Sequence, residues 1–177
     1  MVAFARLGAA TLSTDAVVHE LYGSSDVRDA LVARWGEEIA EGGVVDRAAV
    51  ARRVFAEPDE RRWLEELLWP LVGERVARWR EELARRDRPP VAAVVETPLL
   101  FEAGLDGAYD ATIAVVAAED LREARAAARG HEAVEARAAR QLSQDEKAAR
   151  ATYVVRNDGS VEQLERELAA ILDRLRR

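Results

Sequence analysis

Apolar residues along the chain fall into two patterns, short continuous runs and longer stripes with helical spacing. The first run, residues 9–12, ends at a polar Ser-Thr-Asp sequence, and helical spacing begins at Ala16. Residues 26–88 have helical spacing throughout, with breaks at Gly42, Gly43, Pro58 and Pro70. These patterns predict a strand, a polar turn and then a long helical region.

Three later runs are rich in β-branched residues and alanine, and they predict strands at residues 91–95, 112–116 and 153–155. The first of them lies between a Pro-Pro pair and a Glu-Thr-Pro sequence, which is typical of a buried parallel strand. Residues 119–150 predict a helix with one break at Gly130, and Ser160 is expected to begin a last amphipathic helix. Buried strands that alternate with helices indicate an α/β fold with three layers.

The composition restricts the classes of protein and of partner. The chain has 177 residues, of which 49% are hydrophobic and 33% charged, so we expect one folded domain. With no cysteine there is no disulfide framework, which favours a cytoplasmic setting. The net charge of -7 argues against a nucleic-acid partner, and the longest uncharged apolar run, residues 111–118, is too short to enter a membrane as a spanning helix. His19 and His131 have no neighbouring ligand pair, so we expect no metal site built on histidine.

Two groups of charged residues are candidates for chemistry. Asp15 follows the first predicted strand, where open α/β sheets bind ligands, but its position also suits the N-cap of the next helix. Three arginines share one helix face because they are spaced three and four apart, and a fourth continues the set: Arg122, Arg125, Arg129 and Arg137. They would either bind phosphates or form a solvated face paired with Glu119, Glu123, Glu132 and Glu135.

Three single residues also carry two interpretations each. Arg47 is either a ligand-binding cation or half of a helix-capping salt bridge with Asp46 or a neighbouring residue. Glu102 acts either in the active site or in a structural hydrogen-bond network. Asn157 contacts a ligand or is a turn residue before Asp-Gly. The four tryptophans are expected to pack rather than to stack on a base.

The string PLLFE at residues 98–102 directly follows a predicted strand. In this the chain resembles the dephospho-coenzyme A kinases. Further segments resemble the family in the same order, namely residues 13–22 ("DAD"), 46–55 ("DRxxL…VF"), 68–72 ("HPLV"), 122–147 (the lid) and 153–160 ("yvIxNdGs"). Two positions depart from the family, because Ser13 stands for the first Asp of "DAD" and Trp69 for the His of "HP".

The resemblance implies a P-loop kinase fold with a parallel sheet. Its single domain would have a core of residues 1–16, 91–118 and 151–177, a helical insertion of residues 17–90 that binds dephospho-CoA, and a helical lid of residues 119–150. The family's reaction transfers phosphate from ATP, with Mg²⁺, to the ribose 3′-hydroxyl. By the same resemblance Asp15 is the general base and Arg129 a catalytic lid arginine. The resemblance also implies that Arg47 and Glu102 bind the substrate. It implies that the nucleotide is bound by Arg122, Arg125, Arg137 and Asn157.

One element of these kinases does not occur in the sequence. The family begins with a strand and a phosphate-binding loop of the form GxxxxGK[ST], and the 177 residues contain no such string. We therefore expect the first strand and the loop to be absent from this chain, and residues 1–177 alone to transfer no phosphate. The alternative to a kinase is a non-catalytic relative that still binds dephospho-CoA. Another nucleotide kinase is a weaker hypothesis, because the PLLFE and lid segments argue against it.

Overall fold

The computed structural model describes residues 1–127 and 141–176. The strands in this part are β1 (Ala10–Ser13), β2 (Ala93–Glu96), β3 (Ile113–Val116) and β4 (Tyr153–Arg156). The helices are α1 (Val2–Arg6), α2 (Thr14–Leu21), α3 (Ser25–Trp35), α4 (Arg47–Ala56), α5 (Pro58–Ala84), α6 (Glu119–Ala127), α7 (Gln144–Arg150) and α8 (Val161–Leu175). Short 3₁₀ segments cover Glu37–Gly43 and Asp106–Ala108.

The strands form two pairs, and the chain forms two compact units. Strand β1 pairs with β2, and β3 pairs with β4 in parallel, with Ile113 opposite Tyr153 and Val116 opposite Arg156. One unit combines Met1–Ala10 with Thr97–Arg177, and the other is Thr11–Glu96. Short strands among many helices confirm the predicted α/β class. Residues 17–90, all of which the structure describes, contain helices and turns but no strand, and the assignment of this span as an insertion stays a prediction.

Strand β2 differs from the buried strand that was predicted at residues 91–95. It begins at Ala93, and both Ala93 and Glu96 are exposed while the two valines between them are half-buried. Pairing starts late because a proline has no N–H to donate to a neighbouring strand, and Pro89-Pro90 precedes the run. The strand keeps contact with solvent because β1 is its one partner in the described part of the chain.

Two helix boundaries also differ from the prediction. Helix α5 continues through Pro70, since Leu64, Leu68 and Leu83 are buried along it and this packing outweighs the lost hydrogen bond. The lid helix predicted to reach residue 150 is interrupted at residues 141–143. There Ser143 begins α7 with a capping box, in which its side chain accepts the N–H of Glu146 and Glu146 accepts the N–H of Ser143.

The core of the Thr11–Glu96 unit is a cluster of buried side chains from α3, the 3₁₀ segment, α4 and α5. Its members are Val27, Leu31, Trp35, Ile39, Ala40, Val45, Val50, Leu64 and Leu68. Trp35 meets Trp63 edge to face at 5.2 Å, and its indole N–H donates to Glu60 at 2.6 Å. These contacts confirm a packing role for Trp35 and Trp63, whereas Trp69 is 47% exposed.

We expect Leu31→Ala to lower the free energy of unfolding by about 2–5 kcal/mol, because Leu31 is fully buried and its removal leaves a cavity. The measurement is urea denaturation followed by circular dichroism. Leu175→Ala, at a position that is 43% exposed, is the matched control and should cost well below that range. Equal losses for the two variants would contradict the assignment of the core.

Candidate active site

Asp15 lies at the start of α2, directly after β1. The Thr14 hydroxyl donates to the backbone oxygen of Glu96 at 3.1 Å, which ties the start of α2 to the end of β2. The Asp15 carboxylate is exposed and makes no hydrogen bond or ion pair with any described residue. The N-cap position belongs to Ser13, so the interpretation of Asp15 as the cap is wrong. A carboxylate in the first turn is favoured by the helix dipole and stays available to a ligand.

Arg47 begins α4 and does not pair with Asp46. The Asp46 carboxylate accepts the N–H groups of Ala48 and Ala49 at 2.9 and 3.1 Å and lies 3.8 Å from Arg52. It therefore caps the helix by itself, and the predicted alternative of a salt bridge with Arg47 is wrong. Arg47 instead donates from Nη1 to the ring nitrogen Nδ1 of His19.

His19 of α2 and Tyr22, which follows the helix directly, extend the candidate site. Neither residue was predicted from the sequence to belong to it. They follow Asp15 at positions i+4 and i+7, which share one face of a helix. Burial raises the pKa of the Tyr22 hydroxyl, and the nearby Arg47 cation offsets part of that rise. The spacing of these residues is visible in the sequence. No local pattern in the sequence, however, predicts that Arg47 contacts His19.

Glu102, the last residue of the PLLFE string, lies in a hydrogen-bond network within the unit that contains it. Its Oε1 accepts the N–H of Leu142 at 2.8 Å and lies 3.1 Å from the Lys147 ammonium, which also donates to the oxygen of Pro98 at 3.0 Å. Burial raises the pKa of Glu102, but its own N–H, that of Leu142 and Lys147 outweigh burial and hold the pKa below its usual range. The network favours the structural interpretation of Glu102.

The predicted nucleotide-binding residues are partly brought together. Arg125 donates from Nη1 to the backbone oxygen of Asn157 at 2.8 Å, so these two are neighbours. Arg122 pairs with Glu119 at 2.6 Å, which is the pairing that the solvated-face interpretation expects. Arg129 and Arg137 lie outside the described residues.

Polar side chains close the carboxyl end of β3 in the same unit. Gln144 accepts the N–H of Ala117 at 2.8 Å and donates to its oxygen at 2.9 Å. Asp158 accepts the N–H of Ala118 at 2.7 Å. The start of α7 and the turn after β4 are therefore both fixed at this strand end, which is where α/β sheets bind ligands.

No three side chains of His, Asp or Glu in the described ranges come together in a way that could hold a metal ion. Of the helices in residues 1–127 and 141–176, none has both the length and the apolar content that crossing a bilayer requires.

Comparison with known proteins gives one consistent family. The model of the family CoaE, Dephospho-CoA kinase, matches residues 1–163. A dephospho-CoA kinase of Symbiobacterium thermophilum is 37% identical over 168 residues, which are 92% of this chain and 70% of that protein. One of Deinococcus radiodurans is 42% identical over 140 residues, or 77% of this chain and 67% of that protein.

Two solved structures are similar to the chain. The first is the crystal structure of TT1252 from Thermus thermophilus, with a TM-score of 0.77 and 34% identity over 98% of this chain and 88% of that one. The second is a dephospho-CoA kinase from Campylobacter jejuni, with a TM-score of 0.67 over 98% of this chain and 90% of that one. At 20% identity the second supports the fold alone.

Parallel strands with polar side chains at their carboxyl ends, together with these structural neighbours, define an α/β protein of the P-loop kinase class. Within that class the chain belongs to the dephospho-CoA kinase family. The resemblance of the motifs is thereby confirmed, and the roles of the individual site residues stay predictions.

We expect Glu102→Gln to lower the free energy of unfolding at pH 7 by about 1–3 kcal/mol, because it removes a charge that Lys147 and Leu142 stabilise. A pKa lowered by folding stabilises the protein above the pKa of the unfolded chain and loses that effect as the pH falls. The difference between variant and parent should therefore shrink below about pH 4.3, the ordinary pKa of glutamate.

Urea denaturation at a series of pH values measures this difference. Glu81→Gln is the control, because Glu81 is 63% exposed and pairs with Arg85 on one helix surface, where a loss below about 1 kcal/mol is expected. A loss for Glu102→Gln that did not change with pH would contradict a stabilising role for the charge.

Proposed function

We propose that this chain is a dephospho-CoA kinase, which transfers the terminal phosphate of ATP to the ribose 3′-hydroxyl of dephospho-CoA in the last step of coenzyme A synthesis. The family match over residues 1–163 carries the proposal, because it includes Asp15 and the PLLFE string as well as the lid. The comparisons give no support to the non-catalytic alternative. A cytoplasmic location stays a prediction.

Asp15 is the proposed general base that accepts the proton of the 3′-hydroxyl. A base must reach its proton directly, and the Asp15 carboxylate is exposed with no partner among the described residues. The hydrogen bond of Thr14 to Glu96 fixes the helix turn that carries it. The helix turn that carries the base is therefore held in place, and no residue of the described ranges occupies the reacting atoms of the base.

Arginines of the lid segment are the proposed ligands of the ATP phosphates. Phosphoryl transfer depends on positioning and on neutralising charge, and guanidinium groups donate two hydrogen bonds at once to phosphate. Arg125 is held next to Asn157, which supports a nucleotide site on this side of the β3–β4 pair. By the family resemblance Arg122 and Arg137 join it and Arg129 acts on the transferred phosphate. Arg122 would have to exchange Glu119 for a phosphate, and the two side chains are exposed enough for that exchange.

Arg47 is the proposed substrate-binding residue. The family resemblance gives Glu102 the same role, but its contacts support a structural role instead. Arg47 carries a charge that no carboxylate of the described chain neutralises, so it suits an anionic substrate. Glu102 has its Oε1 occupied by Leu142 and Lys147, so we assign it to holding α7 against the PLLFE string.

Mg²⁺ would arrive with ATP as part of the substrate. It usually keeps several waters and is bound by phosphates with one or two carboxylates rather than by a full protein cage. The described residues contain no such cage, and the proposed roles of Asp15 and the arginines do not require a protein-bound metal.

The test of Asp15 is the variant Asp15→Asn, which keeps the shape of the side chain and removes the base. Because GxxxxGK[ST] does not occur in the 177 residues, the chain is assayed with a strand and a GxxxxGK[ST] loop fused before Met1. Coupled ADP release with dephospho-CoA should show kcat reduced by about 10²–10⁴, the usual contribution of a general base.

Asp59→Asn is the matched control, because Asp59 holds the same second position of a helix, in α5, and is 85% exposed. It should leave kcat unchanged. Near-normal turnover of Asp15→Asn would contradict the role of Asp15, and a fused parent that binds no dephospho-CoA would contradict the proposed function.

A further inference from the structure

We infer that His19 is a positioning residue, whose Nδ1 holds the guanidinium of Arg47 toward the 5′-diphosphate of dephospho-CoA. The inference rests on the proposed function and adds to it a residue and a part of the substrate. His19 acts through Arg47 and takes no part in the transfer itself.

The first argument is the kind of partner that Arg47 has. A carboxylate in contact with a guanidinium neutralises it and competes with any anionic ligand. The nearest candidate, Asp46, is occupied by Ala48, Ala49 and Arg52. The partner that Arg47 does have is the ring nitrogen of His19, which accepts a hydrogen bond only when Nδ1 carries no proton. The contact therefore restrains the side chain and leaves its positive charge available.

The second argument is the spacing along α2. His19 follows Asp15 by four residues, which is about 6 Å along a helix and on the same face. The diphosphate and the 3′-hydroxyl of dephospho-CoA are attached to one ribose. If Asp15 meets the hydroxyl, the cation held one helical turn away lies within reach of the diphosphate.

The third argument is that α2 cannot easily rotate and carry His19 away. Val17 is 2% exposed on the inner face of the helix, and Glu20 pairs with Arg75 of α5 at 3.2 Å. Tyr22 is half-buried against the core cluster, and burial raises the pKa of its hydroxyl. It lies close enough to Arg47 for the Arg47 charge to offset part of that rise. Val17 and Glu20 lie on other sides of the helix, and their contacts thus set the direction of the face that carries Asp15 and His19.

The experiment measures dephospho-CoA binding to the 177-residue chain by isothermal titration calorimetry. We expect His19→Ala to raise the Kd about tenfold, the effect of losing one hydrogen bond to a charged group. His19→Asn should restore most of the affinity, because the Asn oxygen can occupy the place of Nδ1. In an Arg47→Ala background, His19→Ala should change the Kd less than twofold, because the residue through which it acts is gone.

Adenosine and a second variant of α2 distinguish a lost diphosphate contact from general damage to the helix. Adenosine has the 3′-hydroxyl without the diphosphate, so its Kd should not change in His19→Ala. Glu20→Ala, which breaks the ion pair on another face of α2, should leave the Kd of dephospho-CoA unchanged. Thermal unfolding of every variant shows whether it is folded.

Three results would overturn the inference. They are an unchanged Kd in His19→Ala, a full additional loss in the Arg47→Ala background, and an equal loss of adenosine affinity. A parent chain that binds no dephospho-CoA would overturn the proposed function together with this inference. Failure of Asp15→Asn to reduce kcat would overturn the proposed base while leaving the affinity results to decide on His19.

Discussion

The hydrogen bond from Thr14 to the backbone oxygen of Glu96 fixes the geometry on which the candidate site in the Thr11–Glu96 unit depends. A carbonyl at the end of a strand has no further ladder partner, and Thr14 supplies one from the first residue of α2. Once that residue is placed, helical geometry decides the direction of each side chain that follows. The exposure of Asp15 and the approach of His19 to Arg47 follow from this bond together with the contacts of Val17 and Glu20 on other sides of the helix.

The same physical requirement operates at the end of β3 in the other unit. The Gln144 side chain accepts the N–H of Ala117 and donates to its carbonyl oxygen, and the Asp158 carboxylate accepts the N–H of Ala118. Each bond satisfies a strand-end group and at the same time places a neighbouring element, α7 or the turn after β4. Arg125 is then held on the oxygen of Asn157. Polar side chains at the end of β3 therefore fix the segments that carry the proposed nucleotide-binding residues, Arg125 and Asn157.

Local signals in the sequence predicted local structure well, and contacts between distant residues were beyond them. The Gly42-Gly43 break and the Ser160 cap were predicted, since a positive φ and an N-cap hydrogen bond are decided within a few residues. The predicted break at Pro70 is wrong, because the effect of a proline on a helix depends on packing with residues elsewhere in the chain. The start of α7 was missed although Ser143 and Glu146 have capping-box spacing. The contact of Arg47 with His19 joins residues 28 apart and has no local signal.

The partners of the arginines explain which of them suit a ligand. Arg34 is fully engaged, because Glu60 binds it at 2.8 Å and the ring of Trp63 lies beneath it. The pair is bidentate, and the Glu60 side chain is only 16% exposed. A carboxylate bound in this way removes a cation from the set that an anion can reach. At Arg47 the partner is a histidine ring and not a carboxylate, so the contact orders the guanidinium without neutralising it. A diphosphate that enters the proposed site therefore meets an oriented cation, and it has no carboxylate of residues 1–127 or 141–176 to displace.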